Sequence, residues 1–405
     1  MKKRWQEKGI YEALQIFRVV MLSGARQCGK TTLAKHIVSK DYKYVTLDNP
    51  YMLEAAQFDP TNFVKHDKKN MIIDEIQRVP ELILGIKIAV DNDNRKGQYL
   101  ITGSANIYSL PTVKESLAGR ISRVRLRPFT YGEIIGNPPK LLQRLKDKDF
   151  VDNKDCDKKS IIEIAMKGGF PEPLTLEPQK IKGWYKGYVE TLIMKDLSDI
   201  TNIKRQDKLQ KLVEVVAAFS SKFMDKSHVA SSLGISRSTL ESYINWLENI
   251  YITDRLFPWY KTDYERVSKQ SKLFMNDTGL MSAILDWKLS DLEYDIDKQG
   301  KLIETFVYNQ IIAQIDLQPY DVSIYHYRDR EKREIDFIIE TDDEIIGIEV
   351  KSGATFDKST FKHLKWFKNN LTKDKKFSGI IMYTGEHAMS LSDNMYLVPI
   401  NNLWE

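Results

Sequence analysis

Apolar and polar positions fall into distinct regimes along the chain. In the first third, short apolar runs alternate with stretches of helical period. Residues 18–23 (RVVMLS), 43–48 (KYVTLD), 70–76 (NMIIDEI) and 98–102 (QYLIT) read as strands, and residues 30–40 as a helix. Continuous Val/Ile/Leu runs separated by helices predict a parallel sheet covered on both faces. Residues 120–128 differ: Arg123, Arg125 and Arg127 alternate with Val124 and Leu126, which gives one strand face a basic character. Residues 136–160 open with NPP and run through KDKDFVDNKDCDKKS, a composition that predicts a loop or mobile linker. A second break falls at 168–173 (GGFPEP), and the period is helical from 182 to about 258. From about residue 301 a helix-like GKLIETFVYNQIIAQ precedes three strand-like runs, SIYHYR, EIDFIIET and EIIGIEVKSG. A Lys-rich helical segment and a last apolar run at 378–384 follow.

Composition narrows the classes. The 405 residues suggest two or three domains, and 42% hydrophobic with 11% aromatic residues permits real cores, which excludes global disorder. The formal net charge of +5 permits contact with nucleic acid without demanding it. No apolar run approaches the roughly 18 residues of a membrane span, so no membrane role is expected. The basic start MKKRWQEKGIYEAL lacks an apolar stretch and does not read as a secretory signal. Two cysteines, Cys28 and Cys156, and six histidines supply neither a disulfide framework nor a zinc cluster, so a cytoplasmic setting is expected.

Residues Gly24, Ala25, Arg26, Gln27, Cys28, Gly29, Lys30 and Thr31 match G-x-x-x-x-G-K-[ST] between a strand and a helix. Glycines let backbone N–H groups surround phosphate oxygens, and the helix start adds partial positive charge. Lys30 is expected to reach the β and γ phosphates, Thr31 to ligate Mg²⁺, and Thr32 to complete the nucleotide-binding turn. Met71-Ile72-Ile73-Asp74-Glu75 is a buried strand ending in two acids. Asp74 is placed to hold Mg²⁺ and Glu75 to polarise the attacking water, so hydrolysis of ATP is expected as well as binding. In Thr102-Gly103-Ser104 a hydroxyl is placed either to touch the γ-phosphate or water, or merely to close a turn of small residues. Arg120, after a helix-like segment at 109–117, is either an arginine finger, acting on a neighbouring subunit of a homo-oligomer, or a surface arginine.

The combination GARQCGKT, MIIDE, LITGS and ESLAGR…LRPFTYGE resembles the AAA-type ATPases of bacteria and archaea that carry a C-terminal domain of unknown function. Gly169-Phe170-Pro171-Glu172, Met275-Asn276-Asp277-Thr278-Gly279-Leu280 and Glu334-Ile335-Asp336-Phe337 also look like that family. The resemblance implies an ATPase core, a helical lid, a winged-helix segment and a nuclease-like tail, with ATP and Mg²⁺ and no other stable small-molecule cofactor. The expected fold class is α/β. A P-loop NTPase parallel sheet with flanking helices (1–135) leads to a charged linker and lid (136–205), a winged-helix-like domain (206–265) and an α/β nuclease-like domain (266–405).

Residues 208–248 fit a winged helix on their own pattern: a striped helix, a turn at Gly234, a cap at Ser236, and an inner stripe of Leu240, Ile244 and Leu247. Arg237, Ser238, Thr239 and Ser242 would meet DNA in a reading helix. Glu241 and Glu248 favour a packing module instead. In the tail, Asp336 faces Glu349 and Lys351 across an expected hairpin, with Glu304 on the preceding helix. That spacing resembles the PD-(D/E)xK nuclease core. In it, Asp336, Glu349 and Glu304 would hold Mg²⁺ and Lys351 would orient water. The plain alternative is an alternating surface hairpin. Two functions follow: Mg²⁺-dependent ATP hydrolysis coupled to action on nucleic acid, or an ATP-driven switch whose winged helix and inactive tail only bind DNA or protein partners.

Overall fold

The computed structural model of the chain describes residues 2–37, 42–65, 70–104, 117–198, 206–260, 270–318, 321–355, 357–372 and 375–405. The helix expected at 109–117 lies outside the described residues except for Leu117. Two compact units emerge: Met1–Pro128 with Asn249–Ile252, and Phe129–Glu248 with Thr253–Glu405.

The first unit is a five-stranded sheet of β1 (Val19–Ser23), β2 (Tyr42–Thr46), β3 (Asn70–Asp74), β4 (Tyr99–Gly103) and β5 (Ile121–Arg125), in the order β2-β3-β4-β1-β5. Every pairing in it is parallel. All residues of β1 and β4 are buried, as a sheet covered on both faces requires. Helix Leu82–Asn92 buries Leu82, Ile83, Ile86 and Val90 at helical spacing, and helix Lys30–Ile37 buries Leu33, Ala34 and Ile37. β5 is an edge strand on which Arg123 is exposed, Arg125 half-buried and Val124 buried, while Arg127, beyond the strand, is buried.

The second unit is helical and then a mixed sheet. Helix Lys226–Leu233 is capped by Asp225 and ended by Gly234 at φ 64°, a left-handed position that favours glycine. The Ser236 hydroxyl accepts from the Thr239 N–H at 3.1 Å, starting helix Arg237–Asn249 with Leu240, Tyr243, Ile244, Trp246 and Leu247 buried. β6 (Thr253–Leu256) and β7 (Lys272–Met275) form an antiparallel pair. β8 (Ser323–Arg328), β9 (Glu334–Glu340), β10 (Glu344–Lys351), β11 (Lys376–Tyr383), β12 (Met389–Leu391) and β13 (Met395–Pro399) form a six-stranded sheet ordered β12-β13-β11-β10-β9-β8. The pairs β10/β11 and β11/β13 are parallel and the rest antiparallel. The three strand-like runs from the tail are β8, β9 and β10.

The charged stretch 136–160 differs from the loop its composition predicts. Helix Leu141–Asp147 lies within it. The Val151 N–H donates to the Asn402 side-chain oxygen at 2.9 Å, the Asn402 amide donates back to the Val151 carbonyl at 2.8 Å, and the Asn153 N–H meets the Glu386 carbonyl at 2.7 Å. Charge keeps its side chains in water while distant partners fix its backbone. Among the described residues no helix is long and apolar enough to cross a membrane.

Candidate functional site

The loop after β1 carries three left-handed backbone positions, Gly24 (φ 153°), Gln27 (φ 60°) and Gly29 (φ 100°). A Cβ on Gly24 would strike the Leu126 carbonyl, so only glycine fits there. Cys28 is fully buried beneath the loop with its thiol 3.5 Å from the same carbonyl, while Arg26 is half-buried and Thr32 exposed. Lys30 is buried, and its ammonium donates to the Gly24 and Ala25 carbonyls at 3.0 and 2.7 Å. Its head therefore lies inside the concavity of the loop.

The ends of β3 and β4 complete the site. The Thr31 hydroxyl donates to both Asp74 oxygens, at 3.0 and 3.1 Å. Tyr44 on β2 donates to Asp74 at 2.8 Å, and Thr102 also donates to it. Burial and the bond to Asp74 push the Tyr44 phenol up, so it remains a donor. Thr31 and Asp74 bring a hydroxyl and a carboxylate side by side, a hard oxygen set that fits Mg²⁺. Glu75 follows at φ 60°, ψ 43°; its N–H donates to the Thr102 hydroxyl at 3.2 Å. Gln77 and Ser104 both donate to its carboxylate, Ser104 at 3.3 Å, and Gln77 also reaches Ser104 at 2.9 Å. Thr102 thus orients the two acids, and Ser104 stands beside Glu75. Tyr44 carries no signal in the sequence, because strand order alone brings it here, whereas Gln77 reaches Glu75 through the turn two residues on.

Arg120 lies elsewhere. Its carbonyl accepts from Val19, at the start of β1, and its guanidinium pairs with Asp91 at 2.5 Å. The phosphate loop leaves the far end of that five-residue strand, roughly 16 Å away at about 3.3 Å per residue. An arginine side chain does not span that gap, so Arg120 does not serve the phosphate loop of its own chain.

The second constellation lies in the sheet of the other unit. The polar turn after β9 closes a hairpin, with the Thr341 N–H on the Glu344 carbonyl at 3.0 Å, and the register pairs Phe337 with Ile348, one step from Asp336 and Glu349. Asp336 accepts from the Val350 N–H at 2.8 Å. Lys351 sits 3.2 Å from Glu349, whose other oxygen is buried, accepts no hydrogen bond and has the His363 Nδ1 3.8 Å away. Burial pushes Glu349 up to about 7 against the pull of Lys351 and pushes Glu304 up as well, with the Asp336 charge adding to the latter. Lys272 on β7 and Glu334 on β9 belong to the cluster too. The only sequence signal for Lys272 is a charged residue leading a strand that is otherwise apolar and wholly buried. Its ammonium lies 3.0 Å from Glu304, 2.6 Å from Glu334 and 3.6 Å from Asp336.

His326 is buried near that ammonium. Burial, then the charge of Lys272, lowers its pKa to about 3, so the ring is neutral in the folded chain. A histidine in the unfolded chain titrates near 6.5, so its contribution to stability is complete above that pH and is lost progressively as pH falls toward 3. Urea unfolding at pH 7 and pH 4.5 is expected to show a smaller acid-induced loss of stability in His326→Phe than in the parent; equal losses would contradict the buried neutral ring.

Residues 17–135 match a family model described as an AAA domain. Residues 158–291 and 299–403 match two models each described as a domain of unknown function, DUF8612 and DUF4143. Two curated relatives, uncharacterized protein Mb2031c of Mycobacterium bovis and uncharacterized protein Rv2008c of Mycobacterium tuberculosis, are each 26% identical over 395 residues, 96% of this chain and 82% of theirs. Among solved structures, the Walker-type ATPase PABY2304 of Pyrococcus abyssi is 12% identical, covering 70% of this chain and 96% of its own, with a TM-score of 0.43. A RuvB of Thermotoga maritima is 19% identical, covering 62% and 88%, with a TM-score of 0.28. The AAA domain match over 17–135, with a phosphate loop and acid pair at the strand ends of a parallel sheet, supports an AAA-type P-loop ATPase that binds and hydrolyses ATP.

Proposed function

We propose that the chain hydrolyses ATP with Mg²⁺ and couples the cycle to nucleic acid as a homo-oligomer. The observation that carries this reading is the contact of Thr31 with Asp74 directly behind the phosphate loop, with Glu75 next in the chain. The backbone of Gly24 to Thr32 cradles the phosphates, and Lys30 exchanges its two carbonyl partners for β and γ oxygens. Thr31 and Asp74 would hold Mg²⁺, which would supply neutralisation of the charge developing on the phosphates. Glu75 orients the attacking water and accepts its proton, with Ser104 beside it. Arg120 reaches the phosphates of a neighbouring subunit, the only assignment that its distance from its own loop leaves it as a finger.

The division into core (1–135), linker and lid (136–205), winged-helix-like part (206–265) and tail (266–405) is part of the same proposal. Arg237, Ser238 and Ser242 are exposed on one helix, which supports DNA contact. Glu241 is paired with Lys226 at 2.6 Å and Glu248 with Arg255 at 2.7 Å, which reduces the repulsion these acids would exert on phosphates. The second reading, a switch whose tail binds without cutting, is favoured by a specific observation. Among the described residues no three His, Cys, Asp or Glu side chains are grouped to hold a metal ion.

Calorimetry with Mg²⁺ and ATP is expected to show nucleotide uptake that falls at least about tenfold in Lys30→Ala. ATP turnover is expected to rise when DNA is added. Absence of nucleotide uptake by the folded chain would overturn the whole reading; uptake and turnover indifferent to DNA would overturn only the nucleic-acid part.

A further inference from the structure

The carboxylate cluster of the tail already contains a cation. Lys272 is 1% exposed, and its ammonium, with three N–H donors, meets carboxylates from two elements: Glu304 on helix Ile296–Ile315, and Glu334 and Asp336 on β9. Its remaining side faces the Phe223 ring, with the nitrogen 5.3 Å from the ring centroid. An ammonium this deeply desolvated persists only where anions surround it. The same anions are the ones a divalent ion would need.

We infer that Lys272 is the resident cation of this cluster and keeps divalent metal ions out of it. Three further observations agree. Asp336 spends an oxygen on the Val350 N–H. Glu304 and Glu334 turn to Lys272, leaving Glu349 with a buried oxygen that accepts no hydrogen bond and has the His363 ring nitrogen 3.8 Å away. Finally, no metal-holding trio of acids exists among the described residues. Mg²⁺ needs one or two carboxylates with waters completing its octahedron, but Glu304, Glu334 and Asp336 are already committed to the ammonium, and a dication beside it would meet like charge at close range. The residues present therefore do not fit a metal-dependent nuclease centre. The cluster acts instead as an ion-paired lock joining β7, β9 and helix Ile296–Ile315. This inference concerns the tail alone and stands whether or not the phosphate loop turns over ATP.

The test uses the full chain without nucleotide and Mn²⁺ as probe, read by electron paramagnetic resonance of the free ion. The parent and Asp336→Asn are expected to bind Mn²⁺ identically, since no site depends on Asp336. Lys272→Met is expected to gain a site at least about tenfold stronger than any Asp336-dependent binding in the parent, and Lys272→Met/Asp336→Asn to lose it. Lys272→Gln, with a polar head, is the second variant should Lys272→Met fail to fold, as circular dichroism would show. A parent site that disappears in Asp336→Asn overturns the inference. So does a folded Lys272 variant that gains no site.

Discussion

Glu75→Gln is expected to keep ATP binding and to lose turnover by about 10²–10⁴-fold. The reason lies in how the side chain is held. Glu75 sits in the left-handed region, which costs a non-glycine residue roughly 1–2 kcal/mol. The surrounding contacts hold it there: its N–H on Thr102, and its carboxylate between Gln77 and Ser104. Glutamine has the same length and keeps the backbone bond, so the loop and the Thr31–Asp74 contact stay in place. What disappears is an anionic acceptor for the proton of the attacking water. Calorimetry of nucleotide uptake beside steady-state phosphate release separates the two effects. Turnover within about threefold of the parent would remove Glu75 from the mechanism, because simple repositioning of water by a neutral amide does not replace a general base.

Much of this site is legible in the sequence because its signal is local. The phosphate loop joins a fully buried strand to a helix within a dozen residues, and Asp74 and Glu75 end another apolar run. Apart from Gln77, two residues from Glu75, the partners that orient those acids are not local. Tyr44 and Thr102 lie 30 and 28 residues from Asp74 and meet it only because β3 pairs with both β2 and β4. Arg120 shows the same limit from the other side. Its motif allows a finger or a surface arginine, and only strand direction says that it stands at the wrong end of β1 for its own loop. In the tail, Asp336, Glu349 and Lys351 were readable from hairpin spacing, whereas Lys272 and Glu334 were not. A lone lysine heading a buried strand has no periodic signature, and its meaning depends on which acids fold around it. The stretch 136–160 misled for a related reason: charge reports side-chain exposure, while Asn402, about 250 residues on, decides whether the backbone is held.

Asp277→Ala is expected to destabilise the second unit by about 3–5 kcal/mol without touching either cluster. The motifs GGFPEP and NDTGL, which look so specific in sequence, meet at this one carboxylate. One Asp277 oxygen accepts from the Gly169 N–H at 2.6 Å and the other from the Leu280 N–H at 2.7 Å, capping helix Thr278–Ile284. The neighbouring backbone approaches so closely that a Cβ on Gly168 would strike Asp277, and one on Gly279 would come within 2.6 Å of the Lys167 carbonyl. The carboxyl is 3% exposed, and burial holds its pKa above the usual range despite these donors. Removing it leaves two buried N–H groups with no acceptor, at about 1–3 kcal/mol each, and the Leu280 one is also the cap of the helix. Asp277→Asn retains one acceptor oxygen and is expected to lose less. Urea unfolding of the full chain measures both: a loss under about 1 kcal/mol in Asp277→Ala would mean that water or a neighbouring oxygen replaces the carboxylate, and that these motifs persist for a reason other than this junction.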